Sequence, residues 1–314
     1  MSTFEGIWVP LVTPFRQGKL DLYSAQQLAL SLSAAGVHGL VACGTTGEAA
    51  TLNEHEQDRM LCGVMEAVQH RCPVVMGVSG SDTRVVAEKI ARLNALRPAG
   101  FLVSAPSYVR PSQEGIRLHF EAVANAAESP VILYNIPART GVNIDVATVI
   151  ALERHANIAA VKECGGNLAQ TMELINHTDL NILCGDDALL FNTLCLGGHG
   201  AISAAAHIRP DLFVHLFELV RAGQIGPART LFRQLLPMIQ LLFSEPNPGP
   251  VKAALAMQGQ MLDELRLPMT PMSAPGRLKL AKALEKLKAI PIAGKAAKSA
   301  FSVAGESRLL GLVR

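Results

Sequence analysis

Residues 157–164 read NIAAVKEC, an apolar climb through Ile158, Ala159, Ala160 and Val161 that ends on Lys162. A primary amine at the tip of a segment suited to burial is a candidate nucleophile. If the segment is a strand, alternation puts Ile158, Ala160 and Lys162 on one face and Ala159 and Val161 on the other. The small residues on the lysine's face leave room for a long side chain in a crowded interior. Burial disfavours the charged form and is expected to lower the pKa of Lys162. A neutral amine can attack a carbonyl carbon and form an imine. Taken alone, Lys162 could equally snorkel to a rim or pair with a carboxylate.

Other reactive or polar residues follow apolar runs in the same way. Tyr134 stands late in PVILYNIP (130–137), with Ile132 on its own face, and a phenol there could pass protons to a carbinolamine as water leaves. GTTGE (44–48) supplies two hydroxyls, Thr45 and Thr46, in a glycine-flanked turn whose N–H groups could hold a carboxylate. Arg139, just past Pro137 and Ala138, suits a bidentate grip on a second carboxylate. Each has a plainer reading: a satisfied core tyrosine, an ordinary capped turn, a surface salt bridge. Cys43, Cys164 and Cys184 also fall near strand ends and are expected to be small buried fillers, since no histidine is placed to activate them.

Composition narrows the classes of function. The 314 residues are 49% apolar, 17% charged and 4% aromatic, as in α/β enzymes. No segment approaches the roughly 18–20 apolar residues that span a bilayer. The start, MSTFEGIWVPLVTPF, lacks a basic n-region followed by an apolar core, so a secretory signal is not expected and the cytoplasm is. Six cysteines without a C-x-x-C pair read as reduced thiols, and nine scattered histidines offer no metal-ligand spacing. Residues 277–314 carry nine Lys/Arg against two Glu, leaving 19 basic and 24 acidic residues before them. That slightly acidic body argues against a nucleic-acid surface.

The chemistry-bearing residues need elements to position them. Eight β-rich apolar runs recur, at 6–15, 38–44, 73–79, 100–106, 130–137, 158–164, 181–187 and 200–206. They are nearly continuous and not alternating, the pattern of parallel strands covered on both faces. Helical patterns lie between them at 53–70, 83–96, 113–127, 145–154 and 167–178, with Ser24, Asn53, Thr83, Asp145 and Asn167 as expected caps. Eight strands alternating with helices predict a (β/α)₈ TIM barrel, whose chemistry sits at the C-terminal strand ends. A doubly wound sheet is the competitor, and the first turn, TPFRQGKL, lacks its glycine fingerprint. The eighth helix is expected from Pro210 to Gly223. The barrel is thus assigned to 1–224, a C-terminal helical extension to 225–290 with helices at 228–243, 250–265 and 274–289, and a weakly ordered tail to 291–314.

With these residues assembled, the chain resembles the dihydrodipicolinate synthase / N-acetylneuraminate lyase family of pyruvate-dependent class I aldolases. GTTGEAATL, SYVRPSQEG, YNIPARTG, VKECGGN, GDDAL, GGHGAIS and EPNPGPVK carry the likeness over about residues 4–280. The resemblance implies that Lys162 forms a Schiff base with pyruvate while Thr45 and Thr46 hold the pyruvate carboxylate. It makes Tyr134 the proton shuttle, linked through Thr45 to Tyr108, which reaches into a neighbouring subunit's site in a homodimer or homotetramer. Gly185 and main-chain groups near Ile202 shape the pocket. Arg139, in PARTG, matches the synthase branch and would receive the carboxylate of an aldehyde co-substrate, aspartate semialdehyde, in the step that opens lysine and diaminopimelate synthesis. No cofactor or metal is implied. KECGG puts Gly165 where synthases often carry a hydroxyl residue. A same-family pyruvate-releasing aldolase or dehydratase acting on a 2-keto-3-deoxy sugar acid is therefore the alternative, and a catalytically silent small-molecule-binding barrel is the alternative of another class. Ser107 and Glu54 replace the second aromatic and the histidine of feedback-inhibited members, so weak or absent inhibition by L-lysine is expected.

Overall fold

The computed structural model describes residues 4–291; the tail expected from 291 onward lies outside them except for Pro291. Eight parallel strands close into a barrel in sequence order: β1 (Gly6–Pro10), β2 (Gly39–Ala42), β3 (Val74–Val78), β4 (Gly100–Ser104), β5 (Val131–Asn135), β6 (Ile158–Glu163), β7 (Asn181–Cys184) and β8 (Gly200–Ile202). Each lies within one of the predicted apolar runs. The first and last runs were expected to be longer, but β1 stops at Pro10 and β8 at Ile202. Beyond β1, Phe15–Arg16 and Lys19–Leu20 form a separate short hairpin.

The continuous apolar runs are explained by two buried layers. Trp8, Val41, Val75, Leu102, Ile132, Ala160, Leu183 and Ile202 fill the barrel interior, while Val9, Leu40, Val74, Phe101, Val131 and Val161 face the surrounding helices. Lys162 and Tyr134 belong to the inner layer, opposite each other in register across β6 and β5. One predicted facing is wrong. Ile158 packs in the outer layer and Ala159 leans on the inner one. The register between β5 and β6 slips between Val131 and Ile132, so Ala159 is the extra residue of a bulge, and simple alternation fails below Ala160.

Helices α1 (Leu22–Ala34), α2 (Glu54–Val68), α3 (Thr83–Leu93), α4 (Gln113–Ala126), a one-turn α5 (Pro137–Thr140), α6 (Val146–Glu153), α7 (Leu168–His177), α8 (Leu190–Cys195) and α9 (Pro210–Arg221) cover the strands. Asn53 and Asn167 cap α2 and α7 as expected, the former in a reciprocal box with Glu56. Ser24 and Thr83 do not cap. Asp21 takes that place in α1, accepting from the Ser24 N–H at 3.1 Å, and Asp82 does so in α3, accepting from the Arg84 N–H at 2.8 Å. A carboxylate ahead of each hydroxyl is the stronger acceptor. Asp145 stands at the cap position of α6 without a side-chain capping bond, and its carboxylate accepts from Asn143 Nδ2 instead.

Three more helices follow: α10 (Ile225–Leu242), α11 (Gly249–Met257) and α12 (Ala274–Lys288). α10 continues through Pro237, because Leu235, Met238 and Ile239 around it are buried and packing outweighs the lost hydrogen bond. α11 ends eight residues before the predicted 265. Gly259 takes the left-handed conformation (φ 72°) and Gln260 bonds back to Leu255, which closes the helix. The chain then returns over the mouth of the barrel, bringing Pro268 and Met269 to the loops that follow β2.

Candidate active site

The C-terminal strand ends surround a cavity of about 320 Å³ lined by Thr45, Ser104, Tyr134, Arg139 and Asn247 among others. A larger hollow of about 690 Å³ lies at the other end, against Glu5, His38, Pro73 and Ala99, each of which directly precedes a strand. Barrel enzymes place chemistry at the first end and not the second. The elements explain the residues found there. β5 and β6 run parallel, so Tyr134 and Lys162, level in register, reach the mouth together, and the Lys162 ammonium sits 4.2 Å from the Tyr134 ring centroid. Lys162 is 6% exposed and Tyr134 is 7% exposed. Neither snorkelling nor an ion pair accounts for Lys162, which has no carboxylate in ion-pair contact among the described residues.

The electrostatics overturn one expectation. Burial does work against the Lys162 ammonium, but the acidic groups around it, Tyr134 first, then Cys164 and Asp187, outweigh burial and raise its pKa above the ordinary lysine range. Burial also pushes the Tyr134 phenol up, against the pull of Lys162 and Thr45 beside its hydroxyl. At neutral pH the pair is therefore ammonium and phenol, and the lysine must shed a proton before it can attack. The cysteines behave as expected of fillers: burial pushes Cys43 and Cys184 up to about 12, and Cys164 up to about 11, far from a thiolate at neutral pH.

The remaining candidates divide. Thr46 is buried and its hydroxyl accepts from Asn247 Nδ2 at 3.0 Å, whereas Thr45 is exposed to the cavity. Arg139 is exposed in the single turn of α5, on the cavity wall. Gly185 lies against the lysine: a Cβ there would meet Cys164 Sγ at 2.8 Å and Lys162 Cε at 2.9 Å, so only glycine leaves the amine its place. Ile202 packs under the site in the inner layer. Tyr108 is not brought to this cavity. It stands 93% exposed in a left-handed conformation (φ 72°) on the loop after β4.

Several residues at the site carried no assignment in the sequence reading. Asp187, buried on the turn after β7, accepts from Ser203 Oγ and from the Ala205 N–H at 3.0 Å, and burial pushes its carboxyl up to about 6. Its charge favours the Lys162 ammonium. Glu163, beside the lysine but facing outward, accepts from Asn135 Nδ2 at 3.0 Å, Gln170 Nε2 at 3.1 Å and the Gly165 N–H at 2.6 Å. It ties the loop after β6 to β5 and α7. A Cβ at Gly165 would lie 2.6 Å from Glu163 Oε1, so any side chain there would have to push that carboxylate aside. GDDAL and VKECGGN marked these stretches, but nothing local told which acid would be buried. No group of three or more His, Cys, Asp or Glu able to hold a metal occurs among the described residues, and no described helix is long and apolar enough to cross a membrane.

The sequence pattern of the dihydrodipicolinate synthetase family matches residues 3–287. The chain belongs to that family. It is 40% identical over 285 residues to a 4-hydroxy-tetrahydrodipicolinate synthase of Syntrophobacter fumaroxidans, covering 90% of this chain and 98% of that relative. Among solved family structures, the DHDPS of Cyanidioschyzon merolae with lysine bound is 36% identical, with a TM-score of 0.89 over 91% of this chain and 99% of that one. The chloride-inhibited dihydrodipicolinate synthase of Acinetobacter baumannii complexed with pyruvate is 33% identical, also at 0.89, over 92% of this chain and 100% of that one. The closed eight-stranded barrel and its C-terminal helices are the fold of this family.

Proposed function

We propose that this lyase of the dihydrodipicolinate synthetase family condenses pyruvate with L-aspartate 4-semialdehyde to give 4-hydroxy-tetrahydrodipicolinate. The observation that carries the reading is the buried Lys162 ammonium 4.2 Å from the ring of Tyr134, which lines an open cavity. After losing a proton, Lys162 adds to the pyruvate ketone. Tyr134 protonates the carbinolamine oxygen, which leaves as water, and the imine remains. Thr45 and Thr46, in the turn opposite, receive the pyruvate carboxylate. Loss of a methyl proton then gives an enamine, whose carbon attacks the aldehyde; the amine of the second substrate next displaces Lys162 from the imine carbon, which closes the ring and frees the lysine. Arg139, on the cavity wall, takes the carboxylate of the second substrate. Gly185 and Ile202 keep the lysine's surroundings clear and firm, and no cofactor or metal takes part.

Tyr108 is given a role in a homodimer or homotetramer. An aromatic ring held 93% exposed in a strained backbone conformation suits insertion into a second copy's cavity, where it would extend the Tyr134–Thr45 relay. The barrel at 1–224 is read as the catalytic unit and 225–290 as its cover, in a cytoplasmic enzyme.

The test is borohydride reduction with pyruvate followed by mass spectrometry, then coupled assays with aspartate semialdehyde against a panel of 2-keto-3-deoxy acids. A pyruvyl adduct with turnover of the semialdehyde supports the proposal. Turnover of a keto-sugar acid alone would move the protein to the aldolase or dehydratase branch, a reading that the side-chain-free Gly165 favours. Absence of any adduct would leave a binding barrel.

Three expected outcomes arise here. Because Lys162 is held as an ammonium at neutral pH, the neutral fraction grows as pH rises. Stopped-flow adduct formation should therefore accelerate by about tenfold per pH unit between about pH 7 and 9. A flat profile would contradict the raised lysine. Gly185→Ala should displace the lysine tip and slow adduct formation by about 10²-fold, the scale of an ångström of misplacement, with the circular dichroism spectrum unchanged. With Ser107 and Glu54 in place, L-lysine should inhibit weakly or not at all, and a steady-state curve with half-maximal effect below a millimolar would refute this.

A further inference from the structure

We infer that Glu48 and Lys252 form an internal strut that holds the 44–51 turn in the shape that grips a substrate carboxylate, which makes Lys252 a positioning residue. The inference rests on the imine reading above and deepens it.

Lys252 lies in α11 with no exposed surface. Its ammonium is ion-paired with Glu48 Oε1, donates to the Glu264 carbonyl at 2.8 Å, and sits 4.3 Å over the Phe15 ring. Glu48 Oε1 has no other partner among the described residues, and Oε2 accepts from the Arg266 N–H at 3.2 Å. The carboxylate is thus held wholly by the C-terminal extension. The backbone of the same residue shapes the turn. Its N–H donates to the Thr45 carbonyl at 3.1 Å, and its carbonyl accepts from the Thr51 N–H at 2.9 Å and Thr51 Oγ1 at 3.0 Å.

Glu48 adopts a left-handed conformation (φ 52°), which is strained for a non-glycine residue and needs outside support. Two further ties come from the extension: Asn247 Nδ2 to Thr46 Oγ1 at 3.0 Å, and Arg266 Nη1 to the Thr51 carbonyl at 2.8 Å. The turn lines the cavity and is tied to residues more than 200 positions away. A buried ion pair is a poor source of stability, because desolvating both charges offsets most of their attraction, and apolar filling would serve as well. What the pair does supply is one defined geometry for the turn that presents Thr45 and Thr46.

The test compares two ketones in borohydride trapping: pyruvate, and acetone, which has no carboxylate to grip. The proteins are the parent, Lys252→Met, Glu48→Gln, and the double variant, which replaces the ion pair by neutral groups of similar size. The strut predicts that half-saturation with pyruvate rises by about tenfold or more in the single variants, the scale of a lost charge-assisted contact, while trapping of acetone stays within about twofold. The double variant should regain the parent's thermal stability, since no unpaired charge is left, yet keep the weakened pyruvate binding. If a single variant fails to fold, the double variant carries the comparison. Parent-like pyruvate saturation in the double variant would overturn the proposal, as would equal losses with both ketones. A parent protein that traps neither ketone would sink the imine reading and this inference with it. The other failures leave that reading standing.

Discussion

Lys162→Ala should yield no pyruvyl adduct after borohydride reduction, and turnover should fall on the order of 10⁴–10⁶-fold, as when a covalent nucleophile is removed. Among the described residues, one other lysine side chain is wholly buried. That residue, Lys252, is committed to Glu48 and the Glu264 carbonyl. The fold should survive. The surroundings that raise the Lys162 pKa favour the folded state with the ammonium in place, so the alanine variant should lose a little thermal stability at neutral pH and remain folded. Adduct found at another lysine of the alanine variant would remove Lys162 from the mechanism. Loss of the adduct together with loss of the fold would show that the cavity left beneath Tyr134 matters more than the amine.

Tyr134→Phe should slow turnover by about 10²–10³-fold, the scale of losing one positioned proton-transfer group. The ring stays, so packing against Ile132 and Ala160 in the inner layer is kept and stability should change little. The loss should fall on formation of the imine more than on pyruvate's first encounter, because the hydroxyl acts when carbinolamine oxygen leaves as water. Single-turnover trapping separates the two. The phenylalanine variant should also show a lysine with a lower pKa, since the group that most favours the ammonium has gone. Its adduct formation should then approach a plateau at lower pH than the parent's. A rate within about twofold of the parent would remove the hydroxyl from the chemistry.

Both predictions concern side chains that local sequence could place. Eight apolar runs of strand length announce eight buried strands because a parallel strand covered on both faces must be apolar on both. A lysine or tyrosine closing such a run has to surface at the same end of the barrel. Neighbouring runs become neighbouring strands, so the sequence alone predicts that Lys162 and Tyr134 meet, and they stand level in register. Cap positions were less legible. Asp21 and Asp82 stand only a few residues ahead of Ser24 and Thr83, and choosing between two polar side chains needs the turn geometry.

What the amino-acid sequence determined by itself was therefore the barrel, its eight strands, and which residues could reach its mouth, because these follow from short-range patterns of burial. Tertiary structure alone decided three things. It set the sign of the Lys162 shift, which depends on Tyr134, Cys164 and Asp187 converging from three strand ends and not on burial alone. It turned Ile158 outward through a bulge that no periodicity records. It joined Glu48 to Lys252, so that a turn near the start of the chain takes its shape from a helix near the end. Charge–charge and packing terms between residues so far apart depend on distances that exist only once the chain is closed, whereas hydrophobic patterning acts on every segment from the outset.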